Sequence, residues 1–217
     1  MAGGKRKDKD ADADKARSGL VHYWANNSSL ADVSGALKLD IVWRIRNLLE
    51  QRQGTGRKVL VLDSGCGERA TAAREIAKRF AGEIREGRLE VHGLHLTKPG
   101  RDWKAFIEKH EGSGVRLHNL SANAFDRTII RRRFDVIYDH FGAVSHAGNP
   151  LETVRRLASK LSQGGVLAFH VHKDGSHNPL EWKVGMPVSH EGEFEADVSC
   201  NTMHFDVFHL KRPERAG

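Results

Sequence analysis

The sequence predicts an α/β protein with a doubly wound parallel sheet that closes in an antiparallel hairpin. Short apolar runs bounded by turn residues, such as KVLVL (58–62) and FDVIYD (134–139), are typical of parallel strands buried on both faces. Amphipathic helical patterns separate these runs, and this alternation favours right-handed crossovers within one sheet. Two final strand-like runs, EFEADVSC and MHFDVFHL, are separated by about two residues, which predicts the closing hairpin.

The first half of the chain divides into a tail, a helix and a strand followed by a second helix. Residues 1–18 carry many charges and no large apolar side chain, so we expect a disordered tail, with one domain over 19–217. Apolar residues at helical spacing predict a helix over about 36–51. After the strand at 58–62, an apolar stripe from Ala73 to Ile84 predicts a further helix.

The second half repeats the strand and helix alternation. LEVHGL (89–94) and VRLHN (115–119) are expected strands, with the helix DWKAFIEKH between them. The next helix has Asn149 as its cap, Pro150 at its first position and Gly164 beyond its end, and it leads into the strand VLAFHV. The whole pattern is that of a Rossmann-like sheet.

Composition limits the class of protein. No apolar run is long enough to cross a bilayer and the N-terminus lacks a signal peptide's apolar centre, so we expect a cytoplasmic protein with no membrane contact. The two cysteines, Cys66 and Cys200, are interpreted as free thiols. A net charge of +7 makes a nucleic-acid partner possible, whereas the spread of the charge and the 7% aromatic content favour a solvated basic surface.

The turn DSGCGERA (63–70) after the first strand is the candidate cofactor loop, because ligands of such sheets lie beyond the carboxyl ends of the strands. GCGERA fits the dinucleotide fingerprint, but that fingerprint also needs an acidic residue after the second strand, where this chain has His95. Asp63 would also repel a pyrophosphate at the helix start. A cofactor with a positive charge suits this carboxylate better.

At these residues the sequence resembles the class I S-adenosylmethionine-dependent methyltransferase family. VLVLDSGCGE looks like its first motif, VHGLHL like its second strand, FDVIYDHFGAVSH like its fourth strand and loop, and LASKLSQGGVLAFHV like its helix and fifth strand. The resemblance covers about residues 55–172. It implies the class I methyltransferase fold, S-adenosylmethionine as the cofactor, and methyl transfer to an acceptor that the sequence does not identify.

The resemblance also assigns roles to single residues. It implies that Asp63 anchors the methionine end of the cofactor and that the turn passes beneath it. The predicted cofactor-binding residues are Asp63, Gly65, Cys66, Gly67, His95, Leu96, Ala122, Asn123 and Asp139. Asp139 and His140, which follow the fourth strand, are the predicted catalytic residues. The alternatives are a loop-capping role for Asp139 and a half-buried loop histidine for His140.

Three positions depart from the family pattern. Arg69 stands in place of the third glycine, His95 in place of the carboxylate that grips the ribose, and the carboxylate expected near the adenine is missing. A neutral imidazole makes one ordinary hydrogen bond, which predicts weaker cofactor binding. The alternative function is therefore a non-catalytic binding protein of the same fold, with an RNA or protein partner.

His170, His172 and His177 are a possible metal site with three nitrogen ligands. The first two share one face of the fifth strand and could supply two nitrogen ligands. Alternate residues of any strand share a face, however, and no carboxylate or cysteine stands at a recognised ligand spacing. We therefore predict no metal.

Overall fold

A computed structural model describes residues 28–95, 101–119, 132–145, 149–172, 186–198 and 201–213. Its centre is a seven-stranded sheet in the order β3-β2-β1-β4-β5-β7-β6. The strands are β1 (Val59–Asp63), β2 (Leu89–His95), β3 (Val115–Asn119), β4 (Phe134–Asp139), β5 (Leu161–His172), β6 (Val188–Val198) and β7 (Asn201–Lys211). The expected tail, residues 1–18, lies outside the described residues.

Six helices pack on this sheet or connect its strands within the described ranges. They are α1 (Leu30–Ala36), α2 (Ile41–Gln51), α3 (Thr71–Arg79), α4 (Ala81–Arg85), α5 (Arg101–Lys109) and α6 (Pro150–Ala158). One core layer joins α1, α2 and α3 to one face of the sheet, and a second layer joins α6 to the other. No helix in the described ranges is long and apolar enough to cross a lipid bilayer.

The strand pairing confirms the predicted fold class. β1 pairs in parallel with both β2 and β4, so the chain reverses its winding direction between β1 and β4. β7 runs antiparallel to β5 and to β6, with Val198 opposite Asn201. The final two strands thus form the antiparallel hairpin, and the carboxyl ends of β1 and β4 meet at the switch point where such sheets bind ligands.

Three predicted boundaries are wrong. The helix expected over 36–51 begins at Ile41 instead, because Ala36 ends a separate helix, Lys38 adopts a left-handed conformation (φ 51°) and the Asp40 side chain caps α2. The stripe from Ala73 to Ile84 is divided at Phe80 into α3 and α4. Gly164 does not terminate a helix: α6 ends at Ala158, and Gly164 lies inside β5, where the register against β4 shifts.

Candidate active site

The loops that follow β1 and β4 are in direct backbone contact. A Cβ atom placed on Gly65 would lie 2.1 Å from the Cα atom of Gly142, and one placed on Gly142 would lie 2.7 Å from the Cα atom of Gly65. Neither position has room for a side chain in this conformation. The glycine of the predicted first motif therefore has a packing role in addition to its predicted place beneath a cofactor.

Asp63 ends β1 with its side chain almost fully buried, at 5% exposure. The Gly65 amide donates a hydrogen bond to its Oδ1 atom at 3.1 Å. Burial raises the pKa of this carboxyl to about 7, because the ionised form loses its hydration. Among the described residues no Lys, Arg or His forms an ion pair with Asp63. A buried carboxyl in this state can accept a cationic group from a ligand.

Asp139, at the end of β4, is bonded to the two loops. Its carboxylate accepts hydrogen bonds from the Ser64 hydroxyl, from the Gly142 amide at 3.1 Å and from the Val144 amide at 3.0 Å. The side chain is completely buried, and burial raises its pKa. The geometry is that of a carboxylate that fixes the loop after β4, and a catalytic role for Asp139 stays a prediction.

His140 lies beside a second buried histidine. The two ring centroids of His140 and His170 are 5.1 Å apart. The His170 Nε2 atom donates to the Ala36 carbonyl at 3.2 Å, and the Nδ1 atoms of both rings are buried with no hydrogen-bond partner among the described residues. Burial, and secondly His170, lowers the pKa of His140 to about 3. His140 is thus a neutral ring that can accept a hydrogen bond but is a weak base.

His95 is placed at the end of β2, next to β1, and is buried at 7% exposure. Its ring stacks on Phe106 of α5, with the centroids 4.1 Å apart. Phe106 also packs with Cys66 and Ala70 of the glycine turn. Sequence reasoning placed Phe106 only in a helix, since a contact between α5 and the end of β2 leaves no mark in local spacing. Leu96, Ala122 and Asn123 lie outside the described residues.

The glycine turn is held from below by the second strand. The Cys66 amide donates to the Leu94 carbonyl at 2.9 Å, and a Cβ atom on Gly93 would lie 2.9 Å from the Cys66 sulfur. Gly67 has φ 60°, a conformation that favours glycine. Arg69, by contrast, is exposed and lines an outer groove beside α3, so its long side chain does not fill the turn.

Helix α1 closes over the carboxyl ends of β1 and β4. Between them remains a cavity of about 20 Å³, whose walls include Val33, Asp63, Tyr138 and His140. The His140 Nδ1 atom is buried there without a hydrogen-bond partner in the described part of the chain, and the Tyr138 hydroxyl interacts with the Asp63 carboxyl. This volume holds about one water molecule. The polar atoms fit the amino acid end of S-adenosylmethionine, and because the cavity among the described residues is smaller than the cofactor, binding there requires α1 to move.

The described ranges hold no candidate metal site. They contain no group of three His, Cys, Asp or Glu side chains that could hold an ion. The ring of His170 lies against His140 and is stacked on Phe194, with the His170 and Phe194 centroids 5.2 Å apart. His177 and the side chain of His172 lie outside the described residues.

Comparison with known proteins identifies the fold. No family model and no curated protein matches the chain. A precorrin-6y C5,15-methyltransferase from Geobacter metallireducens superposes with a TM-score of 0.52 at 13% identity, covering 88% of this chain and 94% of that one. An arsenic(III) S-adenosylmethionine methyltransferase from Chlamydomonas reinhardtii gives 0.51 at 14% identity, covering 74% and 65%.

A third structure is phosphoethanolamine N-methyltransferase 2 of Haemonchus contortus. Its TM-score is 0.51 at 13% identity, over 85% of this chain and 58% of that one. The three enzymes have different acceptors, so they indicate no substrate. Together with the seven strands in the order 3-2-1-4-5-7-6, they show that this chain has the fold of the class I S-adenosylmethionine-dependent methyltransferases.

Proposed function

We propose that the chain is an S-adenosylmethionine-dependent methyltransferase. The observation that carries the proposal is Asp63, a buried carboxyl with no cationic partner in the described residues, at the switch point of a methyltransferase fold. Burying a charge without a counter-charge destabilises a fold, whereas a carboxylate placed for a cationic ligand serves binding. When bound, the cofactor supplies an electrophilic methyl group on a positively charged sulfur.

The residues of the site would share the remaining tasks. Asp63 holds the ammonium group, and the backbone at Gly65 and Gly67 passes beneath the ligand. His95 gives one hydrogen bond to a ribose hydroxyl through a nitrogen at the ring edge, which stacking on Phe106 does not cover, and Leu96, Ala122 and Asn123 surround the adenine. Asp139 positions the loop after β4. His140, being neutral, accepts a hydrogen bond from the hydroxyl or amine group that receives the methyl group.

A second candidate function is a non-catalytic binding protein of the same fold. Two observations favour it: the Asp139 carboxylate is fully engaged by its own loops, and His95 stacks on Phe106 where a ribose contact is expected. Under this alternative α1 stays in place, and the cavity among the described residues keeps its volume of about 20 Å³.

Titration calorimetry with S-adenosylhomocysteine separates the two functions. We expect binding that strengthens between pH 6 and pH 8 as Asp63 ionises, and about tenfold weaker binding in Asp63→Asn. The control is Glu50→Gln, which neutralises an exposed carboxyl of α2 and should change nothing. Absence of heat at millimolar S-adenosylhomocysteine, or equal affinity in Asp63→Asn and Glu50→Gln, would favour the non-catalytic binding function.

A further inference from the structure

An open groove of about 1140 Å³ lies between α1, α2 and α3, on the outer side of the helical layer. Its lining combines an exposed tryptophan, Trp43, with four cationic side chains, Lys38, Arg46, Lys78 and Arg79. Neither the fold nor the proposed cofactor site requires this combination. The groove therefore has the features of a binding surface separate from the cofactor site.

Trp43 is 58% exposed, whereas four other apolar residues of α2 are buried in the core: Ile41, Ile45, Leu48 and Leu49. The backbone of Trp43 is fixed at the start of the helix, because the Trp43 amide donates to the Asp40 carboxylate at 2.8 Å. An indole ring held outward on a rigid helix offers a flat face for stacking. Arg46 lies one turn further along the same helix, within reach of the same ligand.

The cations of the groove are not neutralised by the acids beside them. Asp40 caps α2, and Glu75 accepts the Leu30 amide at 2.8 Å, so each acid serves a backbone group. Among the described residues no acid forms an ion pair with Lys38, Arg46, Lys78 or Arg79, all of which are exposed. The groove thus presents four cations against two acids.

Lys38 occupies a position where glycine is the favoured residue. It follows the end of α1 with φ 51°, a left-handed conformation that is unfavourable for a residue with a side chain. Lysine at this position, in place of the favoured glycine, adds a cationic side chain to the groove. Strained residues of this kind concentrate at binding sites.

We propose that this groove binds single-stranded nucleic acid, with a base stacked on Trp43 and the phosphates along Lys38, Arg46, Lys78 and Arg79. Stacking platforms beside basic grooves are the general means of holding unpaired strands. A duplex hides its base faces, and an acidic peptide has no need of the exposed indole. The chain's own residues 1–27 hold six Lys and Arg against four Asp, so their charge does not complement the groove. The proposal goes beyond methyl transfer and does not depend on it.

The test is fluorescence anisotropy of a labelled 12-nucleotide poly(U) RNA with the full chain. We expect Trp43→Ala to weaken binding about tenfold and Trp43→Phe to retain most of it, since base stacking contributes about 1 to 3 kcal/mol. Lys78→Glu/Arg79→Glu should weaken binding at least tenfold and flatten the salt dependence by more than about one unit of slope.

The matched control is Arg57→Glu/Arg133→Glu. It reverses two exposed charges at the amino ends of β1 and β4, neither of which lines the groove, and should reduce affinity far less. Equal losses in the two charge-reversed variants, full affinity in Trp43→Ala, or no RNA binding would overturn the proposal. So would polyglutamate competing as well as RNA, because that result assigns the groove to an acidic peptide. Thermal unfolding checks that each variant is folded.

Discussion

At the scale of single residues, Asp63 connects stability with binding. Its pKa is about 7 in the folded chain against 3.8 for an ordinary aspartate side chain, so the folded state retains a proton that the unfolded state releases. The protonated carboxyl therefore contributes stability below pH 4, and this contribution is lost as the pH rises through about 7. A residue with this effect is unfavourable for the fold alone.

Asp63→Asn should remove that pH dependence while keeping the oxygen that accepts the Gly65 amide. Relative to wild type, the free energy of unfolding of the variant should rise by about 2 to 4 kcal/mol between pH 4 and pH 8, from about 1.4 kcal/mol per pKa unit. Urea denaturation of both proteins at several pH values measures this difference. A difference that stays constant with pH would show that Asp63 is ionised in the folded state.

The sequence could place the site carboxylates but not their partners. Asp63 and Asp139 end apolar runs, so their positions at the carboxyl edge follow from strand pattern alone. The Gly142 and Val144 amides are local partners of Asp139 and match the loop-capping alternative. The hydrogen bond from the Ser64 hydroxyl to Asp139 and the stacking of His95 on Phe106 depend on separate segments meeting in space. Such contacts have no periodicity to reveal them.

At the scale of elements, α1 is the part that the sequence did not separate. Ser29 and Asp32 form a reciprocal capping box at its start, and Leu30, Val33 and Ala36 are its buried residues. Because the apolar spacing continues from Leu37 into α2, periodicity alone began that helix too early, at about Ala36, and did not reveal α1. The turn is set by Lys38 and by the Asp40 cap, which are local features that a count of apolar residues does not register.

Loosening α1 should speed cofactor entry if α1 covers the site. Ser29→Ala removes the capping hydroxyl at a cost of about 1 kcal/mol, which would raise the open population and the association rate of S-adenosylhomocysteine about fivefold. Ser159→Ala removes a hydroxyl that donates to the Arg156 carbonyl at the other end of α6, just before the start of β5, and serves as the control. Stopped-flow measurements on both variants should show faster association only for Ser29→Ala, and equal rates would argue against a covering role for α1.

At the scale of the whole molecule, topology was the most predictable property. Doubly buried strands alternating with amphipathic helices allow few arrangements, and the two final strand patterns required a hairpin. The distribution of charge was less predictable, since the net charge of +7 gives no location. Folding brings Lys38 and Arg46 to the same groove as Lys78 and Arg79, more than thirty positions further along the chain.

The most direct test of the cofactor site is a crystal structure of the full chain grown with S-adenosylhomocysteine. The account predicts the ligand at the carboxyl ends of β1 and β4, with its amino group on the Asp63 carboxylate. It also predicts that α1 is displaced from the position in which the Leu30 amide reaches Glu75. A structure with α1 in place and the ligand absent, or bound elsewhere at saturating concentration, would contradict it.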